Sequence, residues 1–201
     1  MIDRWANLPQ LRADGQRVLR WIARQGVVMC NDPAERERAK SSLLPVFLAL
    51  EDVIRPLPLV AAYVYRQKDQ PPGLLTTDGT PMRSVDGIAW VDVTPDKGKL
   101  HAIGLSCEAL ERGPGYTQFL FLHELTHVFG GGDHSTKFHK ELDRLIAQFN
   151  QRTGGCLVND RFGLQMHHDS RSYDPFEAAG NPPPVRVGNR EFRTGQQGRI
   201  I

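Results

Sequence analysis

One stretch of the chain constrains the fold more than any other, because it predicts a buried helix with a turn at each end. It begins after a Gly-Pro-Gly turn at residues 113–115 and ends before three consecutive glycines at residues 130–132. Between these turns the apolar residues recur at helical spacing: Phe121, Leu122, Leu125, Val128 and Phe129. Three glycines in a row disfavour a continuing helix and permit a sharp turn. The stretch therefore predicts a helix whose apolar stripe packs against a core.

Polar residues on the same helix follow the pattern H-E-x-x-H, with His123, Glu124 and His127 at the defined positions. Two histidines four positions apart project from one side of a helix, so both imidazoles can bind one zinc ion. The glutamate next to the first histidine can then accept a proton from a metal-bound water. On a helical wheel the apolar stripe lies roughly opposite the two histidines. The motif therefore predicts a zinc site with Glu124 as the catalytic base.

A catalytic zinc site usually has three protein ligands, so a third is expected after the glycine turn. His134 stands there, immediately before a second predicted helix that Ser135 caps. That helix carries apolar residues at helical spacing over residues 138–149 and ends before two glycines at residues 154–155. His134 is therefore the preferred third ligand, and Asp133 is the alternative.

The run HELTHVFGGGDHSTKFHKELDRL, residues 123–145, resembles the catalytic segment of SprT-like and WLM-type zinc metallopeptidases. In that group a histidine of an H-[GS]-x-x-F motif opens the next helix, and His134, Ser135 and Phe138 match it here. The preceding IGLSCEAL, residues 103–110, resembles the strand before the active-site helix of the group, where an edge strand binds the substrate backbone by β-addition. The resemblance implies a gluzincin-like peptidase with His123, His127 and His134 as zinc ligands and Glu124 as catalytic residue.

A second resemblance competes for the third ligand. Residues 123–133 also fit H-E-x-x-H-x-x-G-x-x-D, which is similar to metzincin-like and aspzincin-like peptidases that use an aspartate. Asp133 would then bind the metal, and Met166 would belong to a methionine turn. A strong helix directly after His134 favours the histidine, because metzincins normally place the third ligand in irregular chain. Asp133 can instead orient a liganding imidazole.

The remainder of the chain predicts an α+β, zincin-like fold. One helix is expected around residues 11–23, and a second from Pro33 to Ile54 with Pro45 as a kink or break. Short runs rich in β-branched and aromatic residues at 60–65, 87–93 and 100–105 predict a small twisted sheet. We therefore expect one metallopeptidase domain over residues 1–155, including the amino-terminal helices, and an irregular carboxy-terminal extension over residues 156–201.

Composition limits the partners. The 201 residues carry 25 Lys and Arg against 23 Asp and Glu, so a net charge of +2 gives no strong field toward nucleic acid or anionic membranes. No apolar run approaches the length of a membrane span. The three cysteines are far apart, which disfavours a disulfide framework and excludes a zinc ribbon of the kind that many SprT proteins carry. A monomer in the cytoplasm that acts on a protein or peptide is expected, and a secreted effector stays open.

Three further histidines and one tyrosine are weaker candidates for the site. His139 lies on the second helix, where a solvated face is the simpler interpretation. His167, His168 and Tyr173 follow the two helices, in a region where zinc peptidases often place a side chain that stabilises the oxyanion. Outside enzymes, the alternative is an inactive zinc-stabilised module whose groove binds peptides.

Overall fold

The computed structural model describes residues 9–71, 73–75, 85–91, 100–129, 134–159, 185–187 and 190–192. The helices are α1 (Pro9–Arg24), α2 (Pro33–Ala49), α3 (Glu51–Ile54), α4 (Cys107–Leu110), α5 (Pro114–Val128) and α6 (Thr136–Thr153). The strands are β1 (Leu59–Tyr65), β2 (Gly87–Trp90), β3 (His101–Ser106), β4 (Val185–Val187) and β5 (Arg190–Phe192), and a 3₁₀ turn covers Gln67–Asp69. This mixture confirms the predicted α+β class. In this part of the chain no helix is long and apolar enough to cross a membrane.

β1, β2 and β3 form one sheet in the order β1-β3-β2. β3 runs parallel to β1 and antiparallel to β2. The three predicted strands are therefore present, but the strand that carries Ile103 and Leu105 lies in the centre. Its backbone pairs on both sides, so it cannot be the edge strand suggested by the family resemblance. Among the described strands, β1 and β2 lie at the two edges of this sheet.

Helices cover both faces of this sheet. One face packs against α2, α5 and α6, and the other packs against α1. The larger core includes Val46, Val64, Ile103, Leu105, Phe119, Phe121, Leu122, Leu125, Phe138, Leu142 and Leu145. The smaller core includes Val18, Ile22, Tyr63, Tyr65, Ile88 and Ala102. Because successive residues of a strand point to opposite faces, the alternation in β3 assigns Ile103 to the first core and Ala102 to the second.

The predicted helix from Pro33 to Ile54 is two helices. Pro45 lies inside α2 without ending it, and the break falls at Leu50, whose φ of −114° and ψ of 26° are not helical. In a continuous helix the carbonyl of Ala49 would accept a hydrogen bond from Val53. It accepts one from Arg152 Nη1 at 2.6 Å instead, and the Val53 N–H donates to the Leu50 carbonyl. The break at Leu50 therefore coincides with a hydrogen bond from Arg152 of α6 to α2.

Packing continues past the end of α6. Gly154 ends this helix in the left-handed conformation, with φ of 68°. The side chain of Asn150 then exchanges two hydrogen bonds with the backbone of Leu157, at 2.7 and 2.9 Å, and Leu157 is buried in the larger core. In the extension, β4 and β5 pair antiparallel, a feature that the sequence did not predict.

Candidate metal site

α5 is buried on more sides than its apolar stripe suggested, because it lies between the sheet and two other helices. Glu124 is only 6% exposed and Thr126 is only 1% exposed, although both are polar. In the last two turns of α5, the side chains that remain half-buried are His123 and His127. The helix therefore presents these two imidazoles toward solvent and holds the carboxylate between them inside the protein.

The structure brings His134 next to these two histidines. Each of the three residues offers a ring nitrogen that lies within 4.8 Å of the other two, and the Nε2 atoms of His123 and His134 are 3.1 Å apart. Phe138, on the first turn of α6, packs against all three rings at centroid distances of 4.6 to 4.9 Å. Ser135 caps α6 by accepting a hydrogen bond from the Phe138 N–H. The cap and Phe138 thus place His134 over the α5 histidines.

The three imidazoles fit the requirements of a metal ion. At a Zn–N bond length of about 2.0–2.1 Å, nitrogens in tetrahedral positions lie about 3.3 Å apart, close to the separation of the His123 and His134 nitrogens. Three histidines are also a donor set found in catalytic zinc sites. Among the residues that the structure describes, this is the one cluster of three potential ligands with such spacing. The site can therefore hold a divalent metal.

Glu124 lies against β2, one of the two edge strands of the sheet. A Cβ placed on Gly87 would lie 2.6 Å from Glu124 Oε1 and 2.9 Å from its Cδ, which is closer than real Cβ atoms approach. Glycine is therefore needed at position 87 so that the carboxylate can lie directly on the strand backbone. No sequence pattern indicates this role of Gly87, since only the fold brings it to Glu124.

The residue before Gly87 is the centre of a buried polar network. Asp86 Oδ2 accepts hydrogen bonds from Arg112 Nη1 at 2.8 Å and from the Tyr116 hydroxyl at 2.7 Å. Asp86 Oδ1 accepts one from Gln67 Nε2 at 2.7 Å, and the Asp86 carbonyl accepts one from the Ser106 N–H at 2.7 Å. The network ties the start of β2 to the start of α5. It therefore fixes the strand on which Glu124 rests.

Burial governs the titration of the phenol in this network. Desolvation raises the pKa of Tyr116 well above its ordinary value, and the nearby charge of Asp86 raises it further. The guanidinium of Arg112 lies 4.8 Å from the centre of the Tyr116 ring and opposes this shift. Tyr116 therefore stays a neutral donor to Asp86 near neutral pH.

A second contact crosses the sheet on the α1 side. The ring of Tyr63 lies over Gly104 of β3, and a Cβ on Gly104 would be 2.5 Å from Tyr63 Cζ. Trp90 Nε1 on β2 donates a hydrogen bond to the Tyr63 hydroxyl at 2.6 Å. Burial raises the pKa of Tyr63, and the charge of Glu124 adds to the shift. The three strands are thus joined by side chains as well as by their backbone.

Several sequence candidates have no structural description. Asp133, Met166, His167, His168 and Tyr173 lie outside the described residues. His139 is half-buried on α6, with its ring centre 6.5 Å from that of His134, and it is not a member of the three-histidine cluster.

Comparison of the chain with protein-family models, curated proteins and solved structures finds no significant match. The resemblance to SprT-like and WLM-type peptidases therefore stays a prediction. The cluster of His123, His127 and His134 beside a buried Glu124 is the feature from which a function can be argued.

Proposed function

We propose that this protein is a zinc-dependent peptidase. The observation that carries the proposal is the cluster of ring nitrogens of His123, His127 and His134, all within 4.8 Å of one another, together with the buried Glu124, which directly follows His123 on α5. A metal site formed only for stability would normally be closed by a fourth protein ligand. Here the residue that follows His123 on α5 is Glu124, and its carboxylate is the kind of group that hydrolysis needs as a base.

The roles follow from this arrangement. His123, His127 and His134 would hold the zinc ion. When bound, zinc would lower the pKa of a coordinated water toward 7 and polarise the scissile carbonyl. Glu124 would accept the proton of that water and deliver it to the leaving amine. Its contact with Gly87 holds the carboxylate in place, so little freedom is lost when it acts.

The position of β2 supports a peptide as the substrate. Within the described residues β2 pairs only with β3, and it packs beside α5. The open side of an edge strand offers backbone N–H and C=O groups to an extended chain. A peptide that adds to β2 would run past the strand on which Glu124 rests.

Metal content tests the ligand set. We expect about one zinc per chain by plasma mass spectrometry in the wild type and in Asp133→Ala, and none in His134→Ala. His139→Ala is the matched control, since this histidine of α6 lies outside the cluster and should leave the zinc in place. Loss of zinc in Asp133→Ala alone would assign the third ligand to the aspartate. A wild type that takes up no zinc even after reconstitution would overturn the proposal.

Cleavage tests the catalytic role. A mixed peptide library, incubated with zinc-loaded protein and read by mass spectrometry, should contain new termini. Glu124→Gln should keep zinc and the unfolding midpoint but reduce cleavage by a factor of roughly 100 or more. Equal cleavage by the wild type and Glu124→Gln would point to a contaminating protease. Zinc binding and peptide binding without any cleavage would favour an inactive peptide-binding module.

A further inference from the structure

A cavity of about 200 Å³ lies between α1, α2 and β1, on the edge of the sheet opposite β2. Its walls are mainly apolar and include Leu19, Leu43, Phe47 and Val64. It opens to solvent, because the exposed residue Ala62 also lines it. An apolar protein cavity of about 150 Å³ binds benzene, so this volume admits a ligand with about six to eight carbon atoms.

The charged side chains among the described lining residues of this cavity are all basic. Arg36 and Lys40 both line it from α2, one helical turn apart, and none of its described lining residues is acidic. Lys40 Nζ lies 3.8 Å from Glu37, and because an exposed pair of this kind is weak, the ammonium group can turn to another anion. Among the described residues no carboxylate lies within ion-pair distance of Arg36. A cation without a fixed partner next to an apolar wall suits a ligand with an acidic head.

We propose that this cavity binds a small monocarboxylate with an apolar body of about six to eight carbon atoms. The carboxylate would pair with the guanidinium of Arg36, whose planar fork can donate two parallel hydrogen bonds, and Lys40 would add a second positive charge. The apolar body would fill the space between Leu43 and Val64. None of the described lining residues belongs to α5 or α6, so this cavity is separate from the proposed peptidase site.

Isothermal titration calorimetry of the full chain with sodium octanoate tests the proposal. We expect saturable binding of one octanoate per chain with a dissociation constant below about 1 mM. Octan-1-ol, which has the same body without the charge, should bind about tenfold more weakly, and acetate should not bind. Absence of saturable octanoate binding, or equal affinity for octan-1-ol, would overturn the proposal.

Variants locate the site. Arg36→Gln should weaken octanoate about tenfold and leave octan-1-ol unchanged. Arg38→Gln is the matched control, because Arg38 lies on the same helix but pairs with Glu35 at 3.1 Å and does not line the cavity. Ala62→Phe should close the opening and abolish octanoate binding, while circular dichroism shows the wild-type fold. An equal loss in Arg36→Gln and Arg38→Gln, or undiminished binding by Ala62→Phe, would contradict the assignment.

Discussion

Gly87 and Glu124, on different elements of the fold, touch so closely that a single added carbon on the first would lie 2.6 Å from a carboxylate oxygen of the second. The contact connects an edge strand of the sheet to the helix that carries two of the three clustered histidines. It makes the orientation of the proposed base depend on a residue without a side chain. This dependence can be tested by the smallest possible substitution.

Gly87→Ala should move the Glu124 carboxylate away from β2. We expect peptide cleavage to fall by about tenfold or more, since small misplacements of catalytic groups have large effects on rate. Zinc content should not change, because the three atoms nearest to the added Cβ all belong to Glu124 and none belongs to a histidine. Gly73→Ala is the control, as a Cβ there meets nothing within 4 Å. If Gly87→Ala cleaved peptides at the wild-type rate, the contact between Gly87 and Glu124 would not be needed for catalysis.

Asp86→Asn should destabilise the fold. It removes the charge that faces Arg112 and one acceptor of the buried network, so the free energy of unfolding should fall by about 2 kcal/mol. Urea unfolding followed by circular dichroism measures this change. Asp52→Asn is the control, because its ion pair with Arg152 lies at the surface, and its midpoint should stay near that of the wild type. Equal losses of unfolding free energy in Asp86→Asn and Asp52→Asn would show that the Asp86 network stabilises the fold no more than a surface ion pair does.

Gly104→Ala should force the Tyr63 ring off β3. Overpacking of this kind costs about 1–3 kcal/mol of unfolding free energy. Combining it with Tyr63→Leu should give less than the sum of the two single effects, because the shorter side chain no longer lies over position 104. Additive effects in this double-mutant cycle would mean that the ring is not the obstacle.

Stability should decrease at alkaline pH. Burial raises the pKa of Tyr63, Tyr65 and Tyr116 in the folded protein, while unfolded phenols titrate near about 10. Below that pH the phenols are protonated in both states and stability is unaffected. Above it only the unfolded state loses its protons, so the unfolding free energy falls by up to about 1.4 kcal/mol per pH unit for each phenol.

Urea unfolding at pH 8 to 11 measures this slope. Tyr116→Phe should have a shallower slope above pH 10 than the wild type, because one titrating group is missing. Tyr116→Phe also loses the hydrogen bond to Asp86. This loss should lower the unfolding free energy by a similar amount at every pH, so it does not itself change the slope. A wild-type free energy that stays constant up to pH 11 would contradict the prediction.

Zinc should raise the melting temperature, and a chelator should reverse the effect. A ligand at about 100 times its dissociation constant adds about 2.7 kcal/mol to the stability of the state that binds it. Differential scanning fluorimetry should show this shift for the wild type and for His139→Ala but not for His134→Ala. An identical shift in all three would place the zinc elsewhere.

The local parts of the site could be predicted from sequence. Residues 123–134 form one short segment, so helical periodicity and the spacing of the three histidines suffice to predict that they can converge. The predicted strands were also found, because β-branched runs between turn residues are a local signal. Which strand lies at the edge was not predictable in this way, since sheet order depends on contacts between distant segments.

The remaining features of the fold and of the candidate site depend on contacts between residues that are far apart in the sequence. Tyr116 bonds to Asp86 across 30 positions of sequence, and Arg152 reaches the Ala49 carbonyl across 103. No periodicity or motif links either pair. The same holds for Gly87, whose role becomes visible only when β2 is beside α5. A single sequence therefore indicates which residues could bind a metal and does not indicate what holds the proposed base, Glu124, in place.

Partial opening of the sheet would affect the three histidines and Glu124 differently. The three histidines come from one continuous segment, whereas the backbone that supports Glu124 comes from a strand far away in sequence. If β2 separates from β3 while α5 and α6 stay docked, the imidazoles keep their spacing and the carboxylate loses its support. If the proposed function is correct, we therefore expect a chain in which β2 is loosened to keep bound zinc and to lose peptidase activity, which would make metal content a poor guide to the active fraction of a preparation.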